Sequence, residues 1–143
     1  MLACTAVFAA MTSHRVALPV LAAPVPAGFP SPAEDYVEGK LDLNEHLIAR
    51  PAATFIVRVE GDSMAGAGIF SGDLLVVDRS IEARADSIVI AVVGGELVLK
   101  RLRKKGTGWV LAAENPDFPA IEIGAEDAIW GVVSSSIRRF DRR

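Results

Sequence analysis

Four glycines fall within twelve residues near the middle of the chain, at positions 61, 66, 68 and 72, and they separate two short apolar runs. These runs, residues 55–59 and 74–77, are rich in the β-branched and other apolar residues that suit strands. Glycine favours tight turns, so the stretch predicts two strands joined by a closely turned connection. We therefore expect a mainly β fold.

Other parts of the chain repeat this pattern. Six runs have the length and composition of strands, at residues 54–60, 74–78, 87–93, 96–103, 108–113 and 128–137. Gly94-Gly95 predicts a hairpin with a primed turn, which would place residues 88–93 beside the strand that carries Lys100. Many short strands of this kind predict one compact β domain.

One short helix is predicted to follow Asp42, which suits an N-cap, and to end before Arg50-Pro51. Leu43 and Leu47 would then face the core. His46 lies in the same segment, where no nucleophile signature occurs. The general use of histidine in acid–base chemistry is the only argument for a catalytic role there.

Ser63 lies in the turn Gly61-Asp62-Ser63-Met64. A hydroxyl on a glycine-bounded turn between two strands is held rigidly and can be exposed, as a nucleophilic serine requires. Most serines beside glycine, however, are ordinary turn residues. The turn alone leaves both interpretations open.

Lys100 shares one face of its predicted strand with Val98 and Leu102, because side chains alternate along a strand. Burial among such residues would lower the lysine pKa, and a neutral amine can take a proton from a serine hydroxyl. The alternative is a solvated lysine that opens the basic run 100–105.

Five motifs follow one another along the chain. They are Gly28-Phe29-Pro30-Ser31-Pro32-Ala33-Glu34-Asp35-Tyr36, Leu41-Asp42-Leu43-Asn44, Gly61-Asp62-Ser63-Met64, Gly68-Ile69 with Gly72-Asp73-Leu74-Leu75-Val76-Val77-Asp78, and Leu99-Lys100-Arg101-Leu102. In this order and at similar spacings they resemble the LexA/UmuD family of self-cleaving bacterial DNA-damage-response proteins. Because 27 residues precede Gly28, we expect a UmuD-type member rather than a LexA repressor, which carries a helix-turn-helix domain there.

The resemblance implies a serine peptidase with a Ser-Lys dyad, in which Ser63 is the nucleophile and Lys100 the general base. It implies a scissile bond between Ala27 and Gly28. The chain would then consist of a cleavable N-terminal arm, residues 1–27, and a compact LexA/UmuD-like peptidase domain, residues 28–143.

The oxyanion of such a reaction needs preorganised hydrogen-bond donors. We expect the backbone N–H group of Ser63 to supply one, together with that of Asp62 or Met64. The sequence predicts no cofactor and no metal site, because it contains no cluster of metal-binding residues and no phosphate-binding glycine spacing.

The resemblance also implies partners. Cleavage would be slow until a RecA–DNA filament favours the cleavable conformation. The product, residues 28–143, would form a homodimer and join a Y-family DNA polymerase in mutagenic translesion synthesis, as part of the SOS response. These expectations come from the resemblance alone.

The arm, residues 1–27, contains eight alanines and three prolines. The small residues of Val25-Pro26-Ala27 suit a signal-peptidase site, but the arm has no basic n-region and Thr12-Ser13-His14-Arg15 interrupts its apolar stretch, so it fits a signal peptide poorly. The same interruption makes it too broken to span a membrane. Pro24 and Pro26 favour an extended backbone. The single cysteine, Cys4, is compatible with a reducing cytoplasm, and we expect a cytoplasmic protein without a membrane anchor.

Direct contact with DNA stays open. The net charge of -3 gives no reason to expect it, yet residues 100–105 hold five cations and residues 138–143 hold four arginines. Stacking aromatics are not interleaved with the first cluster, which favours a solvated hairpin end. The second is either a disordered end or a contact to DNA or a polymerase.

Two other classes of function remain. A Ser-Lys protease of the signal-peptidase type, acting on other proteins, would need a membrane anchor that the arm does not provide. A non-catalytic, polymerase-binding module would have lost the Ser-Lys pair, whereas Ser63 and Lys100 are both present in their motifs.

Overall fold

The computed structural model describes residues 2–3, 15–21 and 37–141. The chain divides into two compact units. The sheet unit comprises Met1–Ala9 and Arg50–Arg143, and the small unit comprises Ala10–Ala49. The predicted domain boundary at the Ala27–Gly28 bond lies outside the described residues, so that boundary stays a prediction.

The described residues form ten strands and one α-helix, which confirms the predicted mainly β fold with a short helix. The strands are β1 (Leu2–Ala3), β2 (Ala17–Leu21), β3 (Val37–Asp42), β4 (Thr54–Val59), β5 (Leu74–Asp78), β6 (Ile88–Val93), β7 (Glu96–Lys105), β8 (Gly108–Ala112), β9 (Ile121–Glu122) and β10 (Ala128–Ile137), and the helix is α1 (Leu43–Leu47). All six predicted strands are present; β5 and β10 have the predicted ends, and the other four differ at one end by one or two residues.

The sheet unit contains one antiparallel sheet in the order β1-β4-β5-β10-β6-β7-β8-β9. Its strands bury side chains on both faces. On β6, Ile90 packs in one apolar cluster while its neighbours Val89 and Ala91 pack in a second. A strand covered on both sides reads as a continuous apolar run, which is how residues 88–93 appear in the sequence.

The turn between β6 and β7 is the predicted two-residue hairpin. Gly94 and Gly95 have φ angles of 57° and 80°, the left-handed values that a primed turn requires at both central positions. Val93 pairs with Glu96 across this turn, and the resulting register sets Val89 opposite Lys100. The hairpin therefore determines which residue faces the candidate base across the sheet.

In the small unit, β2 pairs with β3 and α1 follows at once. The Asp42 carboxylate accepts hydrogen bonds from the N–H groups of Asn44, at 2.8 Å, and Val16, at 3.0 Å, which confirms the predicted N-cap. The prediction that Leu43 faces the core is wrong, because its side chain is 56% exposed. A helix of five residues completes little more than one turn, which is too short to form a continuous apolar face. Its connection to β3 is the N-cap, because Asp42 is the last residue of that strand.

The sequence did not predict β1, β2, β3 or β9. Two of these strands have only two residues, which is too few for a period to appear. Strand β3 contains a glycine and three charged residues, and four of its six residues are exposed. Pairing partners, rather than local composition, determine these strands.

No helix among the described residues has the length and apolar character needed to cross a membrane.

The buried face of β5 generates a stability prediction. Leu75 is fully buried in the first apolar cluster, so Leu75→Ala should lower the free energy of unfolding by about 2–5 kcal/mol through lost contacts and a residual cavity. Phe140 is 91% exposed, and Phe140→Ala should change the free energy of unfolding by less than about 0.5 kcal/mol. Urea denaturation of both variants measures the difference, and equal losses would contradict the assigned core.

Candidate active site

Ser63 lies in the connection between β4 and β5, which is closed at its base. The Val59 N–H donates to the Asp73 carbonyl at 2.9 Å, and the Gly72 N–H donates to the Val59 carbonyl at 2.8 Å. Next to Ser63, the Met64 side chain is 1% exposed and packs in the first apolar cluster. The turn is thus anchored in the core by Met64 while Ser63 stays half-buried at its surface.

Lys100 lies on β7 and is only 7% exposed, which rules out the alternative of a solvated lysine. Burial removes water from the ammonium group and lowers the pKa of Lys100 below its ordinary value. The ring of Phe118 has its centroid 5.3 Å from Nζ, a contact that favours the charged form and limits this lowering. The outcome is an amine that loses its proton more readily than a lysine in water.

Ser63 and Lys100 line the same pocket, of about 160 Å³, together with Phe118. The Ser63 hydroxyl donates to the backbone carbonyl oxygen of Leu99, the residue before Lys100, at 3.5 Å. This distance is long for a hydrogen bond between oxygens, and such bonds in unliganded active sites often tighten only when substrate is bound. The fold therefore brings together two residues that are 37 positions apart in the sequence.

The other predicted site residues lie in different places. Asp62 and Met64 line the same pocket as Ser63. Ala27 and Gly28 lie outside the described residues. His46 is an exposed residue of α1 in the small unit, and the described residues hold no group of three or more side chains suited to a metal ion.

The loop between β8 and β9, residues 113–120, is part of the site although the sequence identified it only as a loop. Glu114 and Asn115 bond to the turn that carries Ser63, and Phe118 lines the pocket. The visible signal was a pair of Asn-Pro and Phe-Pro steps, which predicts a loop but says nothing about what the loop contacts.

The two basic clusters are partly engaged within the fold. Residues 103–105 are exposed at the end of the β7–β8 hairpin, as predicted, whereas Lys100 is buried and Arg101 is half-buried. Arg101 and Arg103 form ion pairs with Glu114. Arg138 donates to the buried Asp73 carboxylate at 2.7 and 2.8 Å, and its hydrogen bonds lower the pKa of Asp73. Arg138 is thus part of the fold, while residues 142 and 143 lie outside the described chain.

The close approach of this loop to the turn requires a glycine at position 66. A Cβ atom there would lie 2.4 Å from the Glu114 carbonyl oxygen, so Gly66→Ala should lower the free energy of unfolding by about 1–3 kcal/mol. Gly108→Ala is the matched control, because its nearest neighbour would lie at an ordinary 3.8 Å. Urea denaturation compares the two, and a Gly66→Ala protein as stable as the control would show that loop and turn separate easily.

The sequence also matches known proteins. The Peptidase S24-like family matches it over residues 19–134. Protein SamA of Salmonella typhimurium is 49% identical over 114 residues, which cover 80% of each chain. Protein MucA of Escherichia coli is 38% identical over 135 residues, which cover 92% of each chain. LexA repressor 1 of Pseudomonas syringae pv. tomato is 40% identical over 125 residues, which cover 85% of this chain and 61% of the repressor.

Proposed function

The chain belongs to the Peptidase S24-like family, as its resemblance to LexA/UmuD proteins predicts, and from this premise we propose that it cuts its own backbone between Ala27 and Gly28. Ser63 is the nucleophile and Lys100 the general base. The observation that carries this proposal is the shared pocket, which is lined both by half-buried Ser63 and by buried Lys100 with its lowered pKa.

The first half of the reaction forms an acyl-enzyme. Neutral Lys100 Nζ accepts the proton of Ser63 Oγ while Oγ attacks the carbonyl carbon of Ala27. The oxyanion accepts hydrogen bonds from backbone N–H groups of the turn. When the tetrahedral intermediate collapses, the bond between the Ala27 carbon and the Gly28 nitrogen breaks. Protonated Lys100 gives its proton to the departing Gly28 amine, and an ester joins Ala27 to Ser63.

The second half restores the enzyme. A water molecule attacks the ester carbon while Lys100 accepts a proton from it. The bond to Ser63 Oγ breaks, Lys100 returns the proton to Oγ, and Ala27 leaves as a carboxylic acid that loses its remaining proton to solvent. The lowered pKa serves both halves, because a lysine that stays protonated could not act as a base near neutral pH.

The substrate segment suits this pocket. Alanine and glycine flank the bond, and their small side chains match a space of about 160 Å³. Tethering makes delivery of the bond intramolecular, so the pocket needs little affinity of its own. A buried base and a small pocket favour slow cleavage of the chain's own arm over broad activity on other proteins.

We extend the proposal to partners on the basis of the family resemblance. A RecA–DNA filament would act as the cleavage activator by favouring the cleavable conformation. The product, residues 28–143, would form a homodimer and act as accessory subunit of a Y-family polymerase in SOS mutagenesis. We assign this activity to the cytoplasm, where RecA and the polymerase act.

The cut itself can be tested by mass spectrometry of the purified full chain, with and without a RecA–DNA filament or alkaline pH. We expect a product that begins at Gly28. Gly28→Glu should block the cut without lowering the melting temperature, because a bulky charge does not fit a pocket suited to small residues. A new terminus elsewhere would contradict the substrate assignment, and a chain cut only by added protease would favour a non-catalytic binding module.

The roles of the dyad are separable by pH. Ser63→Ala should abolish cleavage at every pH, and Lys100→Ala should abolish it near neutrality. The wild-type rate should rise with pH and level off once Lys100 is neutral, with a midpoint below the ordinary lysine value of about 10.4, because burial disfavours the ammonium form. Rates are measured as loss of full-length chain.

Two conservative variants serve as controls. Lys100→Arg keeps a cation of similar length but should stay inactive, because a guanidinium does not lose its proton. Ser63→Cys should keep some activity at high pH, where a thiolate forms without help. A Lys100→Ala protein that cuts at the wild-type rate at neutral pH would exclude the proposed base.

A further inference from the structure

The loop between β8 and β9 bonds to two consecutive carbonyl groups of the nucleophile turn. The side-chain Nδ2 of Asn115 donates to the Asp62 carbonyl oxygen at 3.1 Å, and the Glu114 N–H donates to the Ser63 carbonyl oxygen at 2.8 Å. The Asp62 carbonyl also accepts the Ala65 N–H at 3.1 Å from within the turn, so Asn115 fixes it from a second side. The Asn115 amide has a defined orientation, because its Oδ1 accepts the Asp117 N–H at 3.0 Å. Its nitrogen therefore faces the turn.

These carbonyls determine the direction of the next N–H groups. In a planar trans peptide the carbonyl oxygen and the following N–H point in opposite directions. Holding the Asp62 carbonyl orients the Ser63 N–H, and holding the Ser63 carbonyl orients the Met64 N–H. Within the residues that the structure describes, neither of these two N–H groups donates a hydrogen bond, so both are available to an oxyanion.

The loop is itself held in place from two sides. The Glu114 carbonyl oxygen accepts the Gly66 N–H at 2.7 Å, where a side chain on residue 66 would collide. The Glu114 carboxylate accepts hydrogen bonds from Arg101 Nε, at 2.5 Å, and from Arg103, at 3.0 Å. Arg101 follows Lys100 on β7, so the loop ties the nucleophile turn to the strand that carries the base.

We propose that Asn115 is a positioning residue for self-cleavage, which holds the Asp62 carbonyl so that the Ser63 N–H points at the reacting carbonyl oxygen. The Met64 N–H, oriented through Glu114, is then the second donor, in preference to that of Asp62. This inference rests on the proposed function and specifies how its oxyanion is stabilised. Asn115 acts through the turn and does not touch the substrate.

Two variants of the full chain isolate the Nδ2 donor. Asn115→Asp keeps the Oδ1 acceptor for the Asp117 N–H but loses the donor, and Asn115→Ala loses both without adding charge. Removing an oxyanion donor outright costs about 10²–10³ in rate, so a misdirected donor should lower the alkaline plateau of the self-cleavage rate by about ten- to a hundredfold. Both variants should show this loss, because the missing donor is their shared change.

The pH profile separates positioning from general loosening of the site. Asn115→Ala should leave the midpoint unchanged, because Lys100 keeps its burial. A loosened site would admit water to Lys100 and raise the midpoint toward the ordinary lysine value. Asn115→Asp adds a negative charge to the loop that contacts the Ser63 turn, and a negative charge favours the ammonium form of a lysine. Its plateau, where Lys100 is neutral, is therefore the quantity to compare.

The matched control removes a similar bond from another loop. Asp127 accepts the Gly124 N–H at 2.8 Å between β9 and β10 and the Gly94 N–H at 3.4 Å. Asp127→Ala should keep the wild-type plateau, because the pairing of β6 with β7 also holds the Gly94-Gly95 hairpin. If wild type cuts and both Asn115 variants match its plateau, or if the Asn115→Ala midpoint rises, this inference is overturned while the proposed function stands. If wild type does not cut even at alkaline pH or with a RecA–DNA filament, both are overturned. If Asn115→Ala does not fold, Asn115→Asp decides by its plateau.

Discussion

Burial of a lysine amine costs free energy for as long as the amine keeps its proton, and the sheet imposes this cost on Lys100. The hairpin at Gly94-Gly95 sets the register that places Lys100 opposite the fully buried Val89. Among the described residues Lys100 forms no ion pair, and the Phe118 ring is the one group that favours its charge. This cost lowers the pKa of Lys100, and a lowered pKa is the property that the proposed general base needs.

The proposed reaction adds a second requirement, which is that the turn carrying Ser63 stay rigid. Met64 anchors the turn from below, because its side chain is buried in the apolar cluster. The loop that contains Glu114 and Asn115 holds it from the side through backbone carbonyls. In the proposed mechanism this rigidity matters, because an oxyanion is stabilised by donors that already point in the right direction.

Charged residues at the edge of the site mainly support its loops. The Glu114 carboxylate stays ionised because hydrogen bonds from Arg101 lower its pKa. Asp73 is the last residue of the connection between β4 and β5, and hydrogen bonds from Arg138 lower the pKa of its carboxyl group as well. Two arginines from clusters that could have marked a nucleic-acid surface are thus committed to internal ion pairs. Local pairing, more than net charge, explains why these arginines occur where they do.

The sequence by itself determined the six principal strands, the hairpin, the capped helix and the identity of Ser63 and Lys100 as candidates, because these depend on local alternation, glycine and short motifs. Tertiary structure alone decided that residues 63 and 100 line one pocket, that Lys100 is buried, and that the loop at 113–120 supports the turn. A strand as short as β9 is too short to show an alternation of apolar and polar residues in the sequence. A contact made through a backbone carbonyl does not depend on residue type. They depend on which segments meet in space, and a local pattern holds no information about that.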